Sequence, residues 1–84
     1  MFTVYIIENE KKKRYTGHTD NIDDRLNRHN GLLKSKTTSY TKRIGGHWSI
    51  VYSEEFNTRK EAFKREKFLK SGIGRKFLKE HLGP

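Results

Sequence analysis

Residues 2–19 read FTVYIIENEKKKRYTGHT, and the fold turns on how this stretch is read. Residues 2–7 are rich in β-branched and aromatic side chains and predict a strand. The polar run 9–13 can turn the chain, and residues 14–19 then predict the antiparallel hairpin partner of the first strand. Thr3, Tyr5 and Ile7 share one face of that strand. This sets Tyr5 in a half-buried position, where its hydroxyl needs a partner if covered. Gly17 interrupts the second strand and marks a bulge or a close approach by another group.

Beyond the hairpin, Asp20 or Asn21 is suited to cap a helix over residues 22–30. Asp23 and Asp24 favour the positive end of its dipole, and Gly31 is a natural stop. Residues 34–47 (KSKTTSYTKRIGGH) lack a helical period and contain the Gly45-Gly46 break, which predicts a long, basic, mobile loop. Residues 48–56 (WSIVYSEEF) return to β character, with Trp48, Ile50 and Tyr52 on one face and Ser49, Val51 and Ser53 on the other. Thr58 and Glu61 form a capping box that opens a second helix, ended by the break at 71–74. Residues 75–82 make a short segment with Phe77, Leu78 and Leu82 free to dock. The order β-β-α-β-α-α predicts one α+β domain, a small three-stranded antiparallel sheet flanked by helices.

The chain has 84 residues and an apolar fraction of only 31%, so its core must be small. Ten aromatic residues (one Trp, four Tyr, five Phe) supply large buried areas from few positions. The lack of cysteine excludes a disulfide framework or thiolate zinc site. Nothing approaches the roughly 18 apolar residues of a membrane span. The first residues lack the length and cleavage site of a signal peptide, so a cytoplasmic location is expected. Nineteen Lys and Arg against ten Asp and Glu give a net charge of +9. That charge calls for a polyanion, most commonly nucleic acid. A membrane surface is disfavoured, because no helix pairs a wholly basic face with a large apolar one.

Against this basic background one acid stands out. In the helix over 58–71 (TRKEAFKREKFLKS), Ala62, Phe63 and Leu69 define the apolar face, and Glu66 projects between Ala62 and Phe63. A carboxylate facing inward is costly unless paired or bound to a metal. On the first helix, Arg25 and His29 are four residues apart and lie along the edge of the stripe formed by Ile22 and Leu26. Taken singly, these residues have commoner meanings: a solvated arginine, an edge histidine, two packed strand tyrosines. Gly17-His18-Thr19 leads from strand to helix and leaves room for a phosphate near a helix N-terminus.

Taken together, Tyr5, Tyr15-Thr16-Gly17, Arg25 with His29, and Glu66 form a set that resembles the GIY-YIG nuclease superfamily. Thr3-Val4-Tyr5 stands where that family has its first motif, and Tyr15-Thr16-Gly17 where it has its second. Asp24-Arg25-Leu26-Asn27-Arg28-His29-Asn30 is similar to its helical arginine motif. Thr58-Arg59-Lys60-Glu61-Ala62 with Glu66 and Lys67 is similar to the segment carrying its metal-binding glutamate. The resemblance covers nearly the whole chain and is nearest to the short, single-domain bacterial members. Thr3 and Thr16 depart from the motifs, no asparagine follows the glutamate helix at 72–75, and His18 stands where several members carry a lysine.

The resemblance implies metal-assisted hydrolysis of DNA phosphodiesters, in repair or recombination, with RNA an open alternative. Glu66 is the expected ligand of a single Mg²⁺ or Mn²⁺ ion, a hard cation that keeps most of its waters. Arg25 is expected to hold a phosphate oxygen. Tyr5 is the expected proton acceptor, Tyr15 a positioning hydroxyl and His29 a coupled group. For nucleic-acid contact, Gly17 and His18 join Lys34, Lys36, Lys42 and Arg43, which interleave with Tyr40. Arg75 and Lys76 could extend that surface. So small a chain leaves little room for sequence readout, so specificity is expected from DNA structure or a protein partner. The rival reading is a non-catalytic nucleic-acid-binding module of the same fold.

Overall fold

The computed structural model describes residues 1–31, 41 and 44–83. Lys34, Lys36, Tyr40, Lys42 and Arg43, expected to contact nucleic acid, lie outside the described residues. Strand β1 (Phe2–Glu8) runs between β2 (Arg14–Thr19) and β3 (Ser49–Phe56), antiparallel to both, in a sheet of order β2-β1-β3. Helix α1 (Ile22–His29) covers one face, and α2 (Arg59–Lys70) with α3 (Gly72–Leu82) covers the other. The element order β-β-α-β-α-α and the three-stranded antiparallel sheet are those read from the sequence.

The central place of β1 follows from its unbroken apolar run, which suits a strand buried on both faces. Val4, Ile6 and Ile7 are fully buried, and Tyr5 is 1% exposed rather than half-buried as expected. Val4 and Ile6 pack with Ala62, Leu69 and Leu78 beneath α2 and α3, whereas Tyr5 and Ile7 pack with Trp48, Ile22 and Leu26 beneath α1. Two thin cores thus share one strand. This is how an 84-residue chain poor in apolar residues covers both sides of its sheet.

The hairpin is closed by a buried asparagine. The Asn9 side-chain oxygen accepts the backbone N–H groups of Lys11 and Lys13, and its amide donates to the Gly45 carbonyl. Lys12 occupies the left-handed region at φ 65°, an uncommon conformation for a residue with a side chain. One side chain therefore fixes the turn and ties it to the segment preceding β3.

Three expectations about facing and exposure beyond β1 are corrected. First, β3 carries a register shift, Ile6 pairing with Tyr52 and Ile7 with Ile50. The extra residue reverses the facing of the strand, so Trp48 joins the Tyr5 side while Val51 and Tyr52 pack with Val4 and Ile6. The shared face expected for Trp48, Ile50 and Tyr52 is broken at Val51. Second, within 34–47, Thr41 and Ile44 have helical backbone, and the Gly45 N–H donates to the Thr41 carbonyl. Thr41 is 2% exposed, so burial, not solvent, surrounds this part of the expected loop. Third, Phe63 is 48% exposed. The inward stripe of α2 runs through Ala62 and Leu69, with Arg65 and Phe68 half-buried beside them.

The helix ends follow their capping residues. Asn21 caps α1 by accepting from the Asp24 N–H, and Thr58 caps α2 by accepting from the Glu61 N–H. Ser71 ends α2 and begins α3, accepting from the Gly74 N–H, so α3 starts at Gly72 rather than 75. Gly74 is needed for contact: a Cβ there would stand 2.0 Å from the Phe68 carbonyl oxygen and 2.5 Å from the Leu69 Cα. Between the sheet and α2, Arg65 grips Glu54 with two hydrogen bonds of 2.9 and 3.0 Å while lying over the Phe68 and Phe77 rings.

Candidate active site

Cross-strand partners share a face, so the pairs Tyr5–Gly17 and Ile7–Tyr15 place both tyrosines on the α1 side of the sheet. The Tyr5 ring crosses Gly17 on the way to the outer strand. A Cβ on Gly17 would stand 2.7 Å from the Tyr5 hydroxyl and 3.1 Å from the Tyr15 ring. The room left by this glycine is taken by tyrosine. Gly17 therefore serves the site by letting Tyr5 reach across.

From α1, His29 meets both rings, its centroid 5.8 Å from that of Tyr5 and 4.9 Å from that of Tyr15. The Tyr5 hydroxyl lies 2.8 Å from His29 Nε2, and His29 Nδ1 lies 2.8 Å from the Thr41 hydroxyl. The chain Tyr5–His29–Thr41 spans 36 residues of sequence with hardly any solvent contact at its two ends. Burial pushes the Tyr5 phenol up, helped by Tyr15 and Glu66 and opposed by the Arg25 charge. Burial, with the nearby Arg25 guanidinium, lowers His29 to about 4. At neutral pH the pair is an intact phenol against a neutral imidazole. If Nδ1 donates to Thr41, Nε2 is left to accept from Tyr5.

A second polar cluster lies on the other side of β2. His18 pairs with Val4 and so faces α2, where its Nδ1 is 2.5 Å from Glu66 Oε1. Lys70, one turn along α2, donates to Glu66 Oε2 at 2.7 Å. Phe63 leans edge-on against His18, with ring centroids 6.0 Å apart. The Glu66 side chain is 13% exposed. Burial alone would raise its carboxyl, but hydrogen bonds from Lys70 and His18 and their charges hold it below the usual carboxylate range. The inward acid is thus ionised and paired.

The structure brings Tyr5, Tyr15 and His29 into one packed cluster, while Arg25 and Glu66 act on Tyr5 through their charge. Glu66 has His18 and Lys70 as its immediate neighbours. The two clusters meet at Gly17-His18, consecutive residues facing opposite ways on the outer strand. Thr41 and Lys70 were missed from the sequence. Lys70 was legible as the i+4 partner of Glu66; nothing local marks Thr41.

Among the described residues, no group of three or more His, Asp and Glu side chains is placed to hold a metal ion. A lone ionised carboxylate nevertheless fits a hard cation that keeps most of its waters. Each Glu66 oxygen accepts one hydrogen bond and retains a further lone pair. The Lys70 side chain is 51% exposed and free to withdraw into solvent.

Comparison with known proteins gives the family. The family model of the GIY-YIG catalytic domain matches residues 1–77. A UPF0213 protein of Staphylococcus saprophyticus is 33% identical over 76 residues, covering 90% of this chain and 88% of that protein. One of Clostridium perfringens is 36% identical over 67 residues, covering 80% and 68%. The solution structure of a UPF0213 protein from Bacillus halodurans superimposes with a TM-score of 0.55 at 28% identity, over 99% of this chain and 87% of that one. With strand tyrosines, helical arginine and histidine, and later glutamate all on the matched segment, this chain belongs to the GIY-YIG family of nuclease-type domains.

Proposed function

We propose that this protein is a divalent-metal-dependent endonuclease that hydrolyses DNA phosphodiester bonds, in the cytoplasm and in the service of repair or recombination. The observation that carries the reading is the Tyr5–His29 hydrogen bond of 2.8 Å, buried beside Tyr15 and subject to the opposed charges of Arg25 and Glu66. A module that only binds nucleic acid has no use for a phenol handed to a neutral imidazole.

The proposed roles follow from the positions of the groups. Tyr5 takes the proton of the attacking water as it passes its own to His29 Nε2, so no free tyrosinate is required. Thr41 holds the imidazole in the orientation that receives this proton. Tyr15 positions the water or the scissile phosphate through its hydroxyl. Arg25, exposed at the helix edge, meets the phosphoryl oxygens, where its planar fork opposes the developing charge. Glu66 would hold Mg²⁺ or Mn²⁺, and the ion would supply Lewis acidity toward the phosphoryl group. His18 orients the carboxylate, and Lys70 neutralises it while no cation is present.

The experiment is a nicking assay on branched, nicked and plain duplex DNA with Mg²⁺ or Mn²⁺, comparing wild type with Glu66→Ala. Cleavage by wild type that disappears with EDTA and with Glu66→Ala supports the reading. Cleavage that persists in EDTA would sink the metal, and DNA binding without cleavage of any substrate would favour the non-catalytic module.

A further inference from the structure

The Tyr5–His29 hydrogen bond joins a strand to a helix, and a side chain outside it bears on both partners. Asn30 follows His29 and caps the end of α1. Its Oδ1 accepts the Trp48 N–H at 2.6 Å, and its Nδ2 donates to the Trp48 carbonyl at 2.9 Å. A carboxamide carries an acceptor and donors side by side, so it pairs with both backbone groups of one residue as a neighbouring strand would. Trp48 is fully buried and packs with Tyr5 and Ile7 beneath α1. The asparagine beside His29 therefore holds the residue that backs Tyr5.

The same grip reaches the other nitrogen of His29. Thr41, whose hydroxyl meets His29 Nδ1 at 2.8 Å, lies earlier in the segment that ends at Trp48. Within that segment the Thr41 carbonyl accepts the Gly45 N–H at 2.9 Å. The hairpin turn steadies its middle: Asn9 donates to the Gly45 carbonyl, and Glu10 accepts the His47 N–H at 2.9 Å. Gly45 and Gly46 stand at φ 73° and 86°, where glycine moves freely, so the segment has pivots of its own. Asn30 anchors its far end to the helix that carries His29. With Thr41 displaced, Nδ1 loses its acceptor, and a neutral ring is free to carry its proton on Nε2 instead. Nε2 then no longer accepts from Tyr5.

We propose that Asn30 is a positioning residue of the site. Its grip on Trp48 sets the Tyr5–His29 hydrogen bond, by fixing the residue behind Tyr5 and the segment that brings Thr41 to His29. Asn30 acts through these neighbours, as groups behind a reactive imidazole do when they set its orientation and tautomer. Its effect on rate rests on the nuclease reading; its effect on the His29 ring does not.

The test joins nitrogen-15 NMR of the His29 ring with single-turnover cleavage of end-labelled DNA in Mg²⁺. The proteins are wild type, Asn30→Ala, Tyr5→Phe and the double variant, compared at a temperature where thermal melts show each to be folded. Asn30→Asp, which keeps an oxygen facing the Trp48 N–H, replaces Asn30→Ala if the latter does not fold. Wild type should show a neutral ring protonated on Nδ1, and Asn30→Ala should show the Nε2 tautomer beside it. Cleavage by Asn30→Ala should fall about 100-fold, the cost of a displacement of about 1 Å, with DNA affinity unchanged. On the Tyr5→Phe background the same substitution should cost less than about threefold, because the bond it sets is already gone. An asparagine that only stabilises the fold would cost the same factor on both backgrounds and leave the tautomer alone. That result overturns the proposal, as does loss of the fold in both Asn30 variants. If wild type cleaves nothing while the His29 tautomer still follows Asn30, the nuclease reading falls and the positioning of His29 stands.

Discussion

The polar groups on the two sides of β2 differ in kind. On the α1 side, Tyr5, His29 and Thr41 form a neutral chain whose two ends are almost wholly buried. On the α2 side, His18, Glu66 and Lys70 form a chain built on charge that reaches solvent through Lys70. The contrast suits a division of labour. A dry site keeps phenol and imidazole uncharged at rest, with the imidazole nitrogen free to accept from the phenol. Holding a hydrated cation beside a phosphate requires a charge that solvent and ions can reach.

That contrast can be broken from the neutral side first. Tyr5→Phe keeps the ring and removes the hydroxyl, so single-turnover cleavage should fall about 10²–10⁴-fold while the thermal melt hardly moves. A change of less than threefold would remove Tyr5 from the proton path. Gly17→Ala places a methyl 2.7 Å from the Tyr5 hydroxyl. A displacement of about 1 Å should cost about 100-fold in rate, with DNA affinity unchanged; wild-type cleavage would mean that the ring is not held as described.

Stability against pH sharpens the same side. His29 is lowered to about 4 in the folded protein, against about 6.5 for an unperturbed imidazole. The unfolded chain therefore binds the extra proton between these values. Stability from this group is full above 6.5 and is lost as pH falls toward 4. His29→Gln should flatten that part of the melting-temperature profile, and an unaltered slope would show that His29 is not buried neutral.

The smallest effect belongs to the charged side. Lys70→Ala removes an exposed i,i+4 pair, so stability should change by less than about 0.5 kcal/mol. The Glu66 carboxyl, held down partly by Lys70, should rise. Activity present above its pKa and lost as pH falls through it should then fail at a higher pH than in wild type. A pH–rate profile measures this, and an unmoved acid limb would separate Lys70 from Glu66.

Much of the fold was legible because its signals are local. The β-rich run at 2–7 marks a strand, Asp20 or Asn21 and Thr58 mark the helix starts, and the element order implies a three-stranded sheet, whereas the central place of the first strand comes from pairing alone. The reversal of β3 at Val51 was not legible, since a bulge is set by pairing with β1 and not by composition. The exposure of Phe63 was not legible, since it is apolar and adjoins Ala62, yet only Ala62 and Leu69 turn fully inward. In the site, Tyr5, Tyr15 and His29 were readable as a set and meet as contacts. The paired state of Glu66 depends on His18, 48 residues away, and the orientation of His29 depends on Thr41. Such partners come from tertiary structure and leave no periodic trace.

The central claim is that both clusters serve one bond-breaking step. It is tested most directly by single-turnover cleavage of end-labelled DNA in Mg²⁺ by wild type, Tyr5→Phe, Glu66→Ala and the double variant, with DNA affinity measured for each. The account predicts losses of at least about 100-fold in each single variant, retained affinity, and a double variant far less impaired than the product of the two losses, as for groups acting as a unit. Cleavage within tenfold of wild type in either single variant would contradict it.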